Sequence, residues 1–190
     1  MAKKKFFSFL NFFKDDDDDD SINLEKSLIR HKIRSQKKEL TAEQKKECAE
    51  AVYKKIEQIP DFMRAKTLLM YWSTDNELST HDFIEKWSKE KQILLPVVVG
   101  HLMIIKPYSG KGDMTKSKLG IWEPESQSSY MEQIDLLIVP GTAFDRKKRR
   151  LGRGRGYYDQ YFKNKKIKKW GIAYDFQLLD KVITPSFILE

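Results

Sequence analysis

The sequence predicts a single α/β domain, three layers deep (α/β/α), built on a mostly parallel sheet. Three observations lead there. Short apolar runs recur at residues 67–72, 93–96, 102–105, 134–139 and 170–174, each of strand rather than helix length. Segments with helical apolar spacing precede them or stand between them, the alternation that lays helices over a parallel sheet. The 190 residues are 40% hydrophobic and 12% aromatic, enough for one sizeable core.

Taken in order, residues 24–39 read as a mostly polar helix with Leu24, Leu28, Ile29 and Ile33 on one side. Thr41-Ala42-Glu43-Gln44 is a capping-box pattern that starts a second helix. Its Ala49, Val52, Tyr53 and Ile56 follow one-face spacing, and Pro60 closes it. Residues 67–72 are a buried strand, and the segment from Ser73 to Glu77 is rich in turn formers. Ser79 or Thr80 caps a third helix carrying Phe83, Ile84 and Trp87. Strands follow at 93–96 and 102–105, then a loop rich in Gly, Ser and Lys over 108–120. The run 134–139 is the clearest strand and ends at Pro140-Gly141. Residues 157–163 read as a helix and 170–174 as the last core strand. Ligands of such sheets bind beyond the carboxyl ends of strands, so the turns after Trp72 and Val139 can bring Glu77 and a glycine-rich run to one cleft.

The net charge of +8 is not evenly spread. The first twenty residues hold four lysines and six aspartates, a net of −2, so the other 170 carry +10. A basic body suits anionic partners such as nucleotides, nucleic acid or a polyanionic metabolite, or it is a solvated lysine-rich surface. Residues 1–20 read as a disordered or artificial leader and 21–190 as the domain. Phe6, Phe9, Leu10 and Phe13 would suit a membrane-surface helix, but anionic lipid repels the aspartate run at 15–20. No window approaches the ~18 apolar residues of a membrane span. Cys48 is the only cysteine, which excludes an intrachain disulfide and fits a reducing cytoplasm. With His31, His81 and His101 scattered, no soft-metal site is indicated.

The segment from Arg150 to Asp159 reads Arg-Leu-Gly-Arg-Gly-Arg-Gly-Tyr-Tyr-Asp. Glycines let backbone N–H groups approach a ligand, arginine forks match phosphate, and Asp159 offers a hard cation an oxygen. The run is neither the dinucleotide fingerprint, which would need glycine where Tyr157 stands, nor a P-loop, which needs Gly-Lys-Ser/Thr. A following helix would favour an anion at its N-terminus. Its rival is single-stranded nucleic acid, since seven of the ten residues 146–155 are basic and two tyrosines follow. An apolar strand before the run and a helix after it favour a packed phosphate loop over a disordered Arg-Gly tract. Lys147 to Arg149 can equally be a solvated turn.

Residues 135–145 (Asp-Leu-Leu-Ile-Val-Pro-Gly-Thr-Ala-Phe-Asp) and the run 150–159 together closely resemble the signature of the 5-formyltetrahydrofolate cyclo-ligase (methenyltetrahydrofolate synthetase) family. Four further pieces agree in order: Lys26-x-x-x-Arg30, Ser73 to Glu77, Gly120-Ile121-Trp122-Glu123-Pro124, and Ala173 to Gln177. The resemblance spans about residues 24–180. It implies ATP- and Mg²⁺-dependent conversion of 5-formyltetrahydrofolate to 5,10-methenyltetrahydrofolate, releasing ADP and phosphate. The formyl oxygen is a poor leaving group; its phosphorylation lets phosphate depart when N10 closes the ring. Such catalysis is mostly positioning and charge stabilisation.

Carried over by matching position, the resemblance implies an ATP loop of Arg150, Leu151, Gly152, Arg153, Gly154, Arg155, Gly156, Tyr157 and Tyr158, reached by Lys26 and Arg30. Arg153 neutralises the transferred phosphoryl group, and Asp159 holds Mg²⁺. Trp72 and Glu77 contact the folate, with Arg153, Gly154, Arg155, Gly156 and Tyr157 on the substrate side. Arg155 stands at a position the family varies. The implied protein is a cytoplasmic monomer with no membrane or nucleic-acid partner. After Asp180 the sequence departs from the family pattern: the C-terminus is shortened or diverged, and the second metal-associated aspartate has no counterpart, Asp180 lying too early. That departure and the basic run motivate a second reading, a non-catalytic relative that binds nucleotide, folate or RNA.

Overall fold

The computed structural model describes residues 17–118, 120–163 and 165–182. The expectations for residues 1–16 and for the tail 183–190 therefore lie outside the described residues. The first helix, α1 (Asp17–Glu39), starts earlier than the expected residue 24 and takes in the last four aspartates. Acidic residues suit a helix N-terminus, where the backbone amides carry partial positive charge. Helix α2 (Ala42–Ile56) begins with the full capping box: Gln44 N donates to Thr41 Oγ1 and Thr41 N donates to Gln44 Oε1.

Pro60 does not close α2. The helix ends at Ile56, and Pro60 instead opens a short helix, α3 (Pro60–Arg64). Proline at the first helical position loses no hydrogen bond, because that N–H would be unpaired anyway.

The central sheet has five strands: β1 (Thr67–Leu69), β2 (Gln92–Val99), β3 (Leu102–Pro107), β6 (Leu136–Val139) and β9 (Lys168–Gly171), in the order β3-β2-β1-β6-β9. The pairs β1–β2, β1–β6 and β6–β9 are parallel; only the β2–β3 hairpin is antiparallel. The expected strand at 67–72 stops at Leu69, although Met70 N still donates to Leu94 O. The last core strand lies earlier than expected, at Lys168–Gly171, with Ile138 opposite Trp170. The segment 108–120 is not all loop: it contains a 3-10 turn (Lys111–Asp113) and β4 (Met114–Lys116), which pairs with β5 (Trp122–Pro124).

Side chains alternate across the sheet as the pleat requires. Leu68, Ile93, Leu95, Leu136 and Ile138 face the core shared with α2, α3 and α4 (His81–Trp87), where Phe62, Phe83 and Trp87 cluster. Leu69, Leu94, Ile105, Leu137 and Val139 face the other core, closed by α5 (Tyr157–Phe162) through Phe162. This is the expected three-layer arrangement. Thr80 precedes α4 without capping it; its hydroxyl donates to Tyr71 O and accepts from Ser73 N, which pins the segment leaving β1.

A small second sheet, β10-β7-β8, joins β7 (Ala143–Asp145), β8 (Arg150–Leu151) and β10 (Leu178–Leu179). Helix α1 packs on it through Ile29, against Ala143, Leu151 and Val182. The basic turn inside the β7–β8 hairpin is tied down by the buried Asp145 carboxylate. That carboxylate accepts from the Lys147, Arg149 and Val182 amides and from Arg149 Nε. Residues 146–149 are thus the turn of a packed hairpin, and Arg150 opens its second strand.

Candidate active site

The glycine run lies beyond the carboxyl ends of β1 and β6, where the sequence placed it. Gly154 (φ +104°) and Gly156 (φ +69°) adopt left-handed conformations that other residues avoid. They turn the chain sharply from β8 into α5. With six residues, α5 is too short for a strong helix dipole, so arginine side chains carry most of the positive field there.

Arg150 is buried at 5% exposure. It donates to Pro140 O (3.0 Å) and to Asp159 Oδ1 (2.7 Å), locking the run between the end of β6 and the start of α5. The Tyr158 ring lies 5.6 Å from its guanidinium carbon. Burial drives the Tyr158 phenol well above its ordinary range, so it is a donor, not a base. Arg153 is half exposed and is aimed by two contacts, to Glu77 Oε1 (2.9 Å) and Thr74 Oγ1 (2.7 Å). Arg30 Nε donates to Gly152 O (3.0 Å), fastening α1 to the run.

Two cavities meet here. One, of about 320 Å³, is walled by apolar groups including Trp72, Val98, Met103 and Trp122, with Glu123 and Asp159 among its polar groups. The other, of about 430 Å³, is cationic: Arg30, Arg34 and Lys37 line it from α1. Arg153, Glu77 and Gly141 border both.

Most of the expected site residues are therefore brought together. Arg150, Gly152, Arg153, Arg155, Gly156, Tyr157, Tyr158, Asp159, Trp72 and Glu77 all line the first cavity. Gly154 lies against Arg30, whose guanidinium a Cβ there would meet at 3.6 Å. Leu151 instead points into the small core beside Val182. Lys26 borders neither cavity, one helical turn before Arg30. Trp72 is stacked on His81 with ring centroids 4.2 Å apart, so one of its faces is already covered. Glu77 is more committed than the sequence suggested: Oε1 takes Arg153, and Oε2 takes both the amide and the hydroxyl of Thr74.

Arg34, Lys37 and Thr74 were missed. The first two were findable, since Arg30, Arg34 and Lys37 stand at i, i+4 and i+7 on one helix face. Thr74 had no signal beyond its place in a turn. Lys37 is buried at 6% exposure and donates to Asn76 O (3.0 Å). Burial pushes its ammonium down to about 8; Glu77 opposes that shift, while Arg153 and Lys45 add to it. Between pH 8 and about 10.5 the unfolded chain keeps a proton that the folded chain releases, so this group's contribution to stability rises with pH there. The melting temperature of wild type relative to Lys37→Met should therefore shift in favour of wild type across that window; a constant difference would contradict the burial of a charged Lys37.

Asp159 is the candidate metal residue. It is about half exposed at the cavity and already pairs with Arg150. No group of three His, Cys, Asp or Glu side chains gathers among the described residues. The donor set fits Mg²⁺, which needs only one or two carboxylates alongside water and phosphate oxygens, better than it fits a metal demanding a full protein cage.

Comparison with known proteins decides the family. The model of the 5-formyltetrahydrofolate cyclo-ligase family matches residues 22–185. The chain belongs to that family. The 5-formyltetrahydrofolate cyclo-ligase of Haemophilus influenzae is 32% identical over 166 residues, covering 82% of this chain and 89% of the relative. That of Escherichia coli K12 is 31% identical over 181 residues, covering 83% and 99%. The structure of Aquifex aeolicus 5,10-methenyltetrahydrofolate synthetase matches with a TM-score of 0.77 and 29% identity, over 86% of this chain and 85% of that one. A Mycoplasma pneumoniae 5,10-methenyltetrahydrofolate synthetase shares the fold at TM-score 0.67. The cyclo-ligase family is an enzyme family of folate one-carbon metabolism, its members ATP-dependent ligases, and the chain is an enzyme of it. No helix among the described residues is long and apolar enough to cross a membrane.

Proposed function

We propose that the chain converts 5-formyltetrahydrofolate to 5,10-methenyltetrahydrofolate by phosphoryl transfer from ATP to the formyl oxygen, with Arg153 at the point of transfer. The observation that carries this reading is the position of Arg153 on the border of an apolar cavity and a cationic cleft. The apolar cavity, walled by Trp72 and Trp122, suits the flat ring system of a folate. The cationic cleft suits a triphosphate, with Arg30, Arg34 and Lys37 on its α1 wall.

The residues then take separate roles. Arg153, steered by Glu77 and Thr74, faces the charge that builds on the transferring phosphoryl group. Arg150 holds the loop rigid from below, so its backbone is set before substrate arrives. Arg155, Gly156 and Tyr157 line the apolar cavity, on the folate side. Lys26 would approach the phosphates only from the far end of α1. Asp159 would hold Mg²⁺, which would supply neutralisation of phosphate charge.

The reaction needs no enzymic nucleophile. The formyl oxygen attacks the terminal phosphorus and ADP leaves. N10 then adds to the activated carbon, the N10 proton is lost, and phosphate departs with the former formyl oxygen. A cytoplasmic monomer with its one cysteine reduced belongs to the same reading.

Purified protein supplied with 5-formyltetrahydrofolate, ATP and Mg²⁺ should produce the methenyl product, followed by its near-ultraviolet absorbance, and none when ATP is omitted. Absence of product with all three present overturns the proposal.

A further inference from the structure

A folate presents one polar edge that an apolar cavity cannot satisfy. Its aminopyrimidine ring carries adjacent N–H donors, on the 2-amino group and the ring nitrogen beside it. Burying them unpaired is costly, so the cavity must offer an acceptor. Three carboxylates border it: Glu77, Asp159 and Glu123.

Two of these are already engaged. Glu77 receives Arg153 on one oxygen and two donors from Thr74 on the other. Asp159 accepts from the guanidinium of the buried Arg150 and is the residue proposed to hold Mg²⁺. Glu123 differs from Glu77 in spare acceptor capacity, and from the half-exposed Asp159 in being buried and in having no arginine partner among the described residues. Strand β5 carries it into the cavity wall beside Trp122, at 6% exposure. The Val98 amide donates to its Oε1 at 3.2 Å. A buried carboxyl with one amide donor has acceptor capacity to spare, since an ionised carboxylate has about four lone-pair sites. Burial accordingly pushes its pKa up, against the pull of the Val98 amide and of Lys106.

We infer that Glu123 is the group that recognises the donor edge of the substrate's aminopyrimidine ring, making it a specificity-determining residue of the folate cavity. The inference rests on the cyclo-ligase reading and adds a substrate contact to it. Two N–H donors arriving together complete the carboxylate's hydrogen bonding and stabilise its charged form. Glu77, meanwhile, remains free to steer Arg153. The flanking Ile121 and Trp122 supply the apolar wall along which the ring slides in.

The test compares 5-formyltetrahydrofolate with its 2-desamino-2-methyl analogue, in which a methyl replaces the donating amino group. Binding of each is followed by quenching of tryptophan fluorescence, with wild type and with Glu123→Gln. Glutamine keeps the volume and the acceptor for Val98 but turns an amide donor toward the substrate's donors. Wild type should bind the parent about 10- to 100-fold more tightly than the analogue. Glu123→Gln should lose about that factor for the parent alone, with the KM for folate raised and the KM for ATP unchanged.

Equal binding of parent and analogue by wild type overturns the inference, and this arm needs no variant. So does a Glu123→Gln protein that melts like wild type and keeps wild-type discrimination. If either result comes with intact ATP-dependent turnover, the cyclo-ligase reading stands and only the role of Glu123 falls. If wild type binds neither folate form and makes no product, both fall together.

Discussion

Arg153→Ala should lower turnover about 10³-fold while leaving the fold intact. Removing a preorganised donor to developing transition-state charge typically costs 10²–10³ in rate, and arginines acting on a phosphoryl group are worth more still. Arg153 is half exposed, and its partners Glu77 and Thr74 keep each other when it is gone, so little stability is at stake. The melting temperature should stay within about 2 °C of wild type. Arg153→Lys should recover only a small part of the lost rate, because Glu77 and Thr74 both take the same guanidinium nitrogen and leave the others for phosphate, which a single ammonium cannot do. Steady-state kinetics on the three proteins checks this; an alanine variant within tenfold of wild type would remove Arg153 from the point of transfer.

Arg150→Ala should act differently, on stability first. Arg150 is the buried arginine of the run, bonded to Pro140 O and Asp159 and packed against Gly152. Its loss strips the Pro140 carbonyl of its donor, leaves Asp159 without its cation and opens a void under the loop. Losses of this kind cost about 2–4 kcal/mol. For a domain of this size that is a fall in melting temperature of about 4–16 °C. Turnover should fall too, since the loop that carries Arg153 is no longer clamped. Calorimetry and kinetics together separate this from Arg153→Ala, which should lose rate without losing stability. A melting temperature within 2 °C of wild type would show that the clamp contributes little.

How much of this was legible depends on the length and regularity of each element. The strand β6 could be read because four consecutive buried positions leave an unbroken apolar run. The start of α2 could be read because a capping box is a fixed local pattern. Strands of two or three residues, such as β5, β7, β8 and β10, carry no period that any window could detect. Pro60 was ambiguous in principle, because proline both follows one helix and opens the next.

The glycine run and its arginines were visible as chemistry, and the carboxyl-end rule brought Glu77 to them. Which arginine is buried was not visible, since Arg150 and Arg153 look alike in sequence and differ only in what the hairpin and α5 close around. The double use of Glu77 was hidden for the same reason: Thr74 and Arg153 are 79 positions apart. Glu123 sits in a short strand after an irregular segment, and its burial comes from the β2–β5 contact. The cationic face of α1 was available in the spacing from Arg30 to Lys37, yet on an isolated basic helix that spacing is indistinguishable from ordinary surface charge.

The central claim is that the formyl oxygen of the folate receives the phosphoryl group at Arg153. Isotopic labelling tests it most directly. 5-Formyltetrahydrofolate carrying ¹⁸O in the formyl group is turned over with unlabelled ATP, and the released phosphate is analysed by mass spectrometry. One ¹⁸O atom per phosphate, with ADP formed in equal amount, is the predicted result. Phosphate free of label, with the ¹⁸O recovered in water, would contradict the account.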